Sequence, residues 1–206
     1  MACTNMDTRV AGGFRIAFDS AQKIFFGYED FINADVVNNI PYASMKLKIG
    51  KGPYGLLVLE SIESNKTMWV SADNVYIVMQ GGKIIRTSGL NNNLIDYSYP
   101  GNLLEVINQK ETTLRYFSYY SYDEPRADLI RTEVEVKNLG KTAISILGAT
   151  YELVLLEETV SSTYLGWKVS NRYWVDPNDG FIWKSEQNIS PKLPTFYIEI
   201  TKKPVL

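Results

Sequence analysis

From Tyr42 onward the chain changes side with almost every residue. Met45, Leu47 and Ile49 are apolar, and Ser44, Lys46 and Lys48 between them are polar. Ile130, Thr132, Val134 and Val136 share one face, and Arg131, Glu133, Glu135 and Lys137 share the other. Successive side chains of a strand point to opposite faces of a sheet, so a two-residue period buries one face and wets the other; a helix cannot do this. The alternation recurs in 56–62, 67–72, 74–89, 113–122, 166–175, 180–187 and 195–204, joined by short Gly-, Pro- and Asn-rich segments. About ten strands at that spacing predict an antiparallel meander. The expected fold is all-β: a curved antiparallel sheet that buries its apolar face by curling into a barrel or half-barrel. Two stacked sheets in a β-sandwich are the competing arrangement.

The punctuation fits. Gly81-Gly82 between two β-branched runs predicts a two-residue hairpin turn, because both positions need positive φ. Asp176-Pro177-Asn178-Asp179-Gly180 predicts another turn: Pro presets φ, Asn and Asp bond their own backbone, and Gly takes positive φ. Asn138-Leu139-Gly140-Lys141 is expected to turn the chain, Gly148 to bend a long strand over 143–160, and 90–102 to be a loop. Before the strands, Val10, Phe14, Ala17, Phe18, Ala21 and Phe25 recur at three- and four-residue spacing, which predicts one amphipathic helix over 10–26. The domain organisation expected is a single domain over 1–206, with a flexible lipid-anchor tether at 1–9, the helix at 10–26 and the β-domain at 40–204.

Composition matters mainly for what it removes. The chain has no histidine, so the common general base, the Ser-His-Asp and Cys-His nucleophile systems and most catalytic zinc sites are excluded. Cys3 is its one cysteine, which excludes an internal disulfide and a thiolate metal cluster. No metal or other cofactor is expected. A net charge of −2 gives no reason to expect nucleic acid as a partner. No apolar run approaches the roughly 20 residues of a membrane-spanning helix, and the chain as it starts carries no signal peptide. "MACT" sets a small residue before Cys3, as at the cut end of a bacterial lipoprotein signal; a chance surface thiol reads equally well.

Residues 171–187, "NRYWVDPNDGFIWKSEQ", gather aromatic, acidic and basic side chains in the way of a sugar-binding cleft. Arg172, Trp174 and Trp183 are candidate ligand contacts there, with Trp69 and the run Asn91, Asn92, Asn93 elsewhere. The competing reading makes Asp176 and Asp179 the capping residues of a hairpin tip, Trp69 a core residue and the asparagines turn caps. Glu157 and Glu158 are adjacent on a strand and face opposite sides, so they cannot act together on one glycosidic bond. The run Tyr116, Phe117, Tyr119, Tyr120, Tyr122 is either cross-strand packing or an aromatic groove.

Three blocks carry a resemblance: "PYASMKLKI" (41–49), "MWVSADNVYIVMQGGKIIRTSGLNNNL" (68–94) and "GWKVSNRYWVDPNDGFIWKSEQ" (166–187). In order and separation they resemble the group 4 capsule polysaccharide lipoprotein family, the YjbF–GfcB group of Gram-negative bacteria. The resemblance implies an outer-membrane lipoprotein facing the periplasm, lipidated on Cys3 and associated with capsule or exopolysaccharide secretion. Thr4, after the cysteine, is not the Asp that directs inner-membrane retention. No catalytic residues come with the family.

The expected function is therefore a non-enzymatic accessory of polysaccharide secretion, with the outer membrane, the polysaccharide or its export proteins as partners. A lipid or lipoprotein carrier using the hollow of a curled sheet is one alternative. A histidine-free glycan hydrolase or lyase is the other.

Overall fold

A computed structural model describes residues 32–100, 103–108 and 113–205. The expected helix at 10–26, the tether at 1–9 and Cys3 lie outside the described residues.

Twelve strands follow one another: β1 (Ser44–Ile49), β2 (Gly55–Glu63), β3 (Lys66–Val70), β4 (Tyr76–Gln80), β5 (Lys83–Ser88), β6 (Leu94–Ser98), β7 (Thr113–Tyr122), β8 (Ala127–Ile146), β9 (Ala149–Ser162), β10 (Trp167–Val175), β11 (Ile182–Gln187) and β12 (Phe196–Lys202). They form a single sheet in the order β5-β4-β3-β2-β1-β12-β11-β10-β9-β8-β7-β6. Every neighbour in that order but one also follows in sequence; the exception is β1 against β12, with Leu47 opposite Ile198. The sheet curls until its end strands β5 and β6 meet. There the backbone ladder is replaced by side chains: the Leu94 N–H donates to Thr87 Oγ1 at 2.9 Å and Arg86 Nε to the Ile95 carbonyl at 2.9 Å. The result is a nearly closed antiparallel barrel with one seam, and the sandwich is not formed.

The concave side holds one continuous apolar cluster, including Met45, Leu57, Trp69 and Ile77 from the first half and Leu156, Val160, Tyr173 and Phe196 from the second. Each such side chain contributes about 1.5–3 kcal/mol by leaving water. On the outside, the short helix α1 (Ala34–Asn39) is capped by Asn33, whose side chain accepts the Val36 N–H at 3.0 Å. It buries Val37 against Ile32 and Leu56. A second short helix, α2 (Leu103–Asn108), follows β6 and adds Leu103 and Val106 to the core.

Three local expectations are corrected. The segment 90–102 is not all loop, because Leu94–Ser98 is β6, paired with β7 with Tyr97 opposite Tyr120. Asn138–Lys141 does not turn the chain; it forms a bulge within β8, where Asn138 Oδ1 accepts the Gly140 N–H at 2.8 Å. The turn comes instead at Leu147-Gly148, both at positive φ (49° and 85°), so the expected long strand over 143–160 is the end of one strand and the start of the next. The extra residue at 138–140 keeps the ladder going with a bend, and two successive left-handed residues are what a two-residue hairpin requires.

The Gly81-Gly82 turn forms as expected, with φ of 52° and 76°. It also reaches across the barrel. A Cβ on Gly82 would stand 2.5 Å from Ile182 Cδ1, the Gly82 carbonyl accepts Gln187 Nε2 at 2.9 Å, and Gln187 Oε1 accepts the Ile84 N–H at 2.9 Å. This draws the start of β5 into the interior, so that Lys83, Ile84 and Ile85 are all buried in succession. Gly82→Ala combines left-handed strain with a core clash and is expected to cost about 3 kcal/mol, read from the urea midpoint.

Candidate functional site

Lys83 and Glu158 are the charged side chains with about 1% exposure in the interior of the described barrel. Glu158 alternates in step with Leu156 and Val160 on β9, so strand phase turns it inward, while Lys83 is brought in by the Gly81-Gly82 turn and by a bulge in β5 that makes Ile85 the extra residue against β4. They form a buried ion pair in direct hydrogen-bond contact. Burying two charges is costly unless every polar atom finds a partner, and here they do. The Tyr116 hydroxyl donates to Glu158 Oε1 at 2.8 Å and accepts from Lys83 Nζ at 2.6 Å. Asn171 Nδ2 and the Tyr173 hydroxyl each donate to Glu158 Oε2 at 2.9 Å. Asn171 lies directly opposite Glu158 in the β9–β10 register.

Four tyrosine rings surround the ammonium, with centroids 4.5 Å away for Tyr99, 5.3 Å for Tyr116, 5.5 Å for Tyr173 and 5.9 Å for Tyr97. Cation–π attraction is strongest where water is excluded. Burial pushes the Glu158 carboxyl up, but Lys83, Asn171 and Tyr116 outweigh it and hold it below the usual carboxylate range. Burial lowers the Lys83 ammonium against the pull of Glu158. Burial, aided by the Glu158 charge, pushes Tyr99 up to about 12 and raises Tyr97, Tyr116, Tyr120 and Tyr173 strongly. Tyr122 is raised by burial.

Above this cluster the seam opens. A cleft of about 630 Å³ lies where β5 and β6 part, within the size range of ligand sites. Its walls include Asn65 of the β2–β3 turn and Lys66 at the start of β3, Gln80 at the end of β4 and Gly81 of the β4–β5 turn, Asp96 to Pro100 of β6 and beyond, and Asp179 and Gly180 of the β10–β11 tip. Tyr97 and Tyr99 belong to both cleft and cluster. Their rings stack at 5.0 Å, Tyr97 stacks on Tyr120 at 4.3 Å, and the Tyr99 hydroxyl donates to the Gln80 carbonyl at 2.9 Å. Asp179 is occupied: Lys203 pairs with Oδ2 and the Phe181 N–H with Oδ1, and these hold its carboxyl low.

The residues singled out from sequence do not converge on this cleft. Trp69 is in the core, with Nε1 donating to Thr67 Oγ1 at 2.9 Å. Asn91, Asn92 and Asn93 sit at the far end of β5 from the cleft. Asn93 caps Leu90 and bonds Asp123, while buried Asn92 bonds the Glu124 carbonyl and Ser190. Arg172 and Trp174 share the outer face of β10, Arg172 near Glu157 at 3.9 Å and Glu186 at 3.7 Å, and Trp174 under Lys184 at 5.3 Å. Trp183 is the extra residue of a bulge in β11, packed on Tyr151 at 4.4 Å and Phe181 at 5.1 Å. Of residues 171–187, Asp179 and Gly180 reach the cleft, at the predicted hairpin tip. The sequence reading overlooked Lys83, Tyr97, Tyr99 and Asn171. Phase was the available signal: a glutamate in step with Leu156 and Val160 has to point inward, and an inward carboxylate requires an inward cation.

A profile of the group 4 capsule polysaccharide lipoprotein family, GfcB and YjbF, matches residues 18–202. The uncharacterized lipoprotein GfcB of Escherichia coli K12 is 26% identical over 175 residues, 82% of this chain and 80% of that protein. The uncharacterized lipoprotein YjbF of the same strain is 27% identical over 161 residues, 74% of this chain and 72% of that protein. The crystal structure of the hypothetical lipoprotein YmcC from Escherichia coli K12 covers 100% of both chains with a TM-score of 0.73 at 23% identity, a likeness of fold.

Proposed function

The chain belongs to the group 4 capsule polysaccharide lipoprotein family, and from that premise we propose that it is a non-enzymatic accessory of polysaccharide secretion that holds a segment of the polysaccharide in the seam cleft. The observation that carries this reading is the make-up of the cleft. A sugar ring offers an apolar C–H face and a rim of hydroxyls. Tyr99, stacked on Tyr97, provides an aromatic surface for the first, and Asn65, Gln80, Asp96 and Ser98 provide donors and acceptors for the second. Binding without cleavage is favoured because bond-cleaving carboxylates must flank a glycosidic bond with about 5–9.5 Å between them. Among the described residues at the cleft, Glu158 lies beneath the floor with both oxygens bonded and Asp179 is bonded to Lys203 and backbone, so Asp96 has no free carboxylate partner there. Anchoring through a lipid on Cys3, followed by Thr4, would set the molecule at the periplasmic face of the outer membrane.

Isothermal titration of the lipid-free chain with neutral, N-acetylated and uronic-acid polysaccharides tests the reading. At least one class is expected to bind. Tyr99→Leu should weaken that binding about tenfold, about 1.4 kcal/mol, while the chain stays folded. Flat titrations for every class, or binding indifferent to Tyr99, would sink it.

A further inference from the structure

We propose that the buried Lys83–Glu158 pair is a positioning device for the cleft, fixing the tyrosine wall against which a ligand packs. The inference rests on the cleft being the binding site. At the cleft, β5 and β6 carry no reciprocal backbone ladder, so something else must fix the distance across the gap. Lys83 opens β5 directly after Gly81 and Gly82, and Gly81 itself lines the cleft. Its ammonium reaches across to the two aromatic residues of the opposite wall, 4.5 Å from the Tyr99 centroid and 5.9 Å from that of Tyr97. On its other side it is tied to Glu158 of β9 and Tyr116 of β7. Asn171 and Tyr173 of β10 hold Glu158 in turn. One cation therefore links five strands behind the cleft and spans the seam where the ladder does not.

The energetics point the same way. A buried ion pair rarely improves stability over apolar residues of the same volume, because desolvation consumes the attraction. Its distinctive effect is directional: it fixes which side chains meet, and at what angle. The interior around Lys83 is already apolar and aromatic, so a neutral side chain of equal length would fit. Such a replacement keeps the volume and removes the force that orders Tyr97 and Tyr99.

The decisive variant is Lys83→Met with Glu158→Gln, which keeps size and, with the amide oxygen in the place of Oε2, the acceptor for Asn171 and Tyr173; the amide NH2 then faces the Tyr116 hydroxyl, which accepts in place of donating. Its melting temperature is expected to stay within a few degrees of the native chain. Its affinity for the polysaccharide that binds the native chain is expected to fall at least tenfold, and its near-ultraviolet tyrosine circular dichroism should weaken. Native affinity in the folded double variant would overturn the proposal. Should the native chain bind no polysaccharide, the function proposed above fails, and the dichroism still decides here: an unchanged tyrosine signal overturns the positioning role. Should the double variant not fold, lysine-labelled native chain serves. The Lys83 Cε resonance is expected to shift as polysaccharide fills the cleft, and a Lys83 signal unmoved at saturation overturns the proposal.

Discussion

Raising the pH above about 11 is expected to unfold the barrel in a single cooperative step. Six tyrosines in and around the Lys83–Glu158 cluster, Tyr97, Tyr99, Tyr116, Tyr120, Tyr122 and Tyr173, have their ionisation pushed upward, mainly by burial. In the unfolded chain a tyrosine loses its proton near pH 10. The native state still holds these protons at that pH, so its stability is fully present below pH 10 and falls as pH rises further. Each retained proton costs about 1.4 kcal/mol per pH unit, and six together cost on the order of 8 kcal/mol per unit. Lys83 has the opposite sign, because its native ionisation is lowered: it adds stability as pH rises toward 10.5 and nothing beyond. It therefore cannot compensate. Against a total stability of about 5–15 kcal/mol, the barrel should fail between about pH 11 and 12. Far-ultraviolet circular dichroism should collapse together with the last rise in tyrosinate absorbance. A complete tyrosinate signal at pH 12 over an intact β spectrum would mean that these hydroxyls are open to water.

The architecture was legible because alternation is local. Met45, Leu47 and Ile49 declare a strand, and Gly81-Gly82 declares a turn, whatever the rest of the chain does. Errors arose where local signals were evenly matched. Leu94–Ser98 is short, carries Asp96 and follows three asparagines, so it read as loop; pairing with β7 makes it a strand. Asn138–Gly140 and Leu147-Gly148 both suit a turn or a bulge, and only the register between β8 and β9 decides which is which. The helix Ala34–Asn39 has two valines and two asparagines, poor helix formers, and stands by virtue of the Asn33 cap and Val37 packing. The candidate site was the least legible part. Lys83 and Glu158 are 75 residues apart; phase turns Glu158 inward, but nothing local says that Lys83, beside a bulge in β5, meets it. The cleft is a property of where the sheet fails to close, which depends on the curvature summed over twelve strands.

Glu158→Leu, made alone, is expected to be far more damaging than the neutral double replacement. It removes the counter-charge of a buried ammonium and strands the donors of Tyr116, Asn171 and Tyr173. Breaking a buried pair from one side costs about 3–5 kcal/mol, whereas removing both charges together is often near neutral. The pH dependence should also steepen above neutral pH. In the native chain the Glu158 carboxyl is held low, so its contribution is present above the unfolded carboxylate range near pH 4.3 and is lost as pH falls through it. In Glu158→Leu the folded state is relieved when Lys83 gives up its proton, while the unfolded lysine keeps its own until about pH 10.4. The variant should therefore gain stability between about pH 7 and 10, by up to about 1.4 kcal/mol per unit, where the native chain gains less. Urea midpoints at pH 7 and pH 9.5 read both effects. Adding Lys83→Met to Glu158→Leu should restore part of the loss and flatten the pH dependence. If the two variants are equally unstable at both pH values, the loss comes from the stranded hydroxyl and amide donors, and the charge of Lys83 contributes nothing to it.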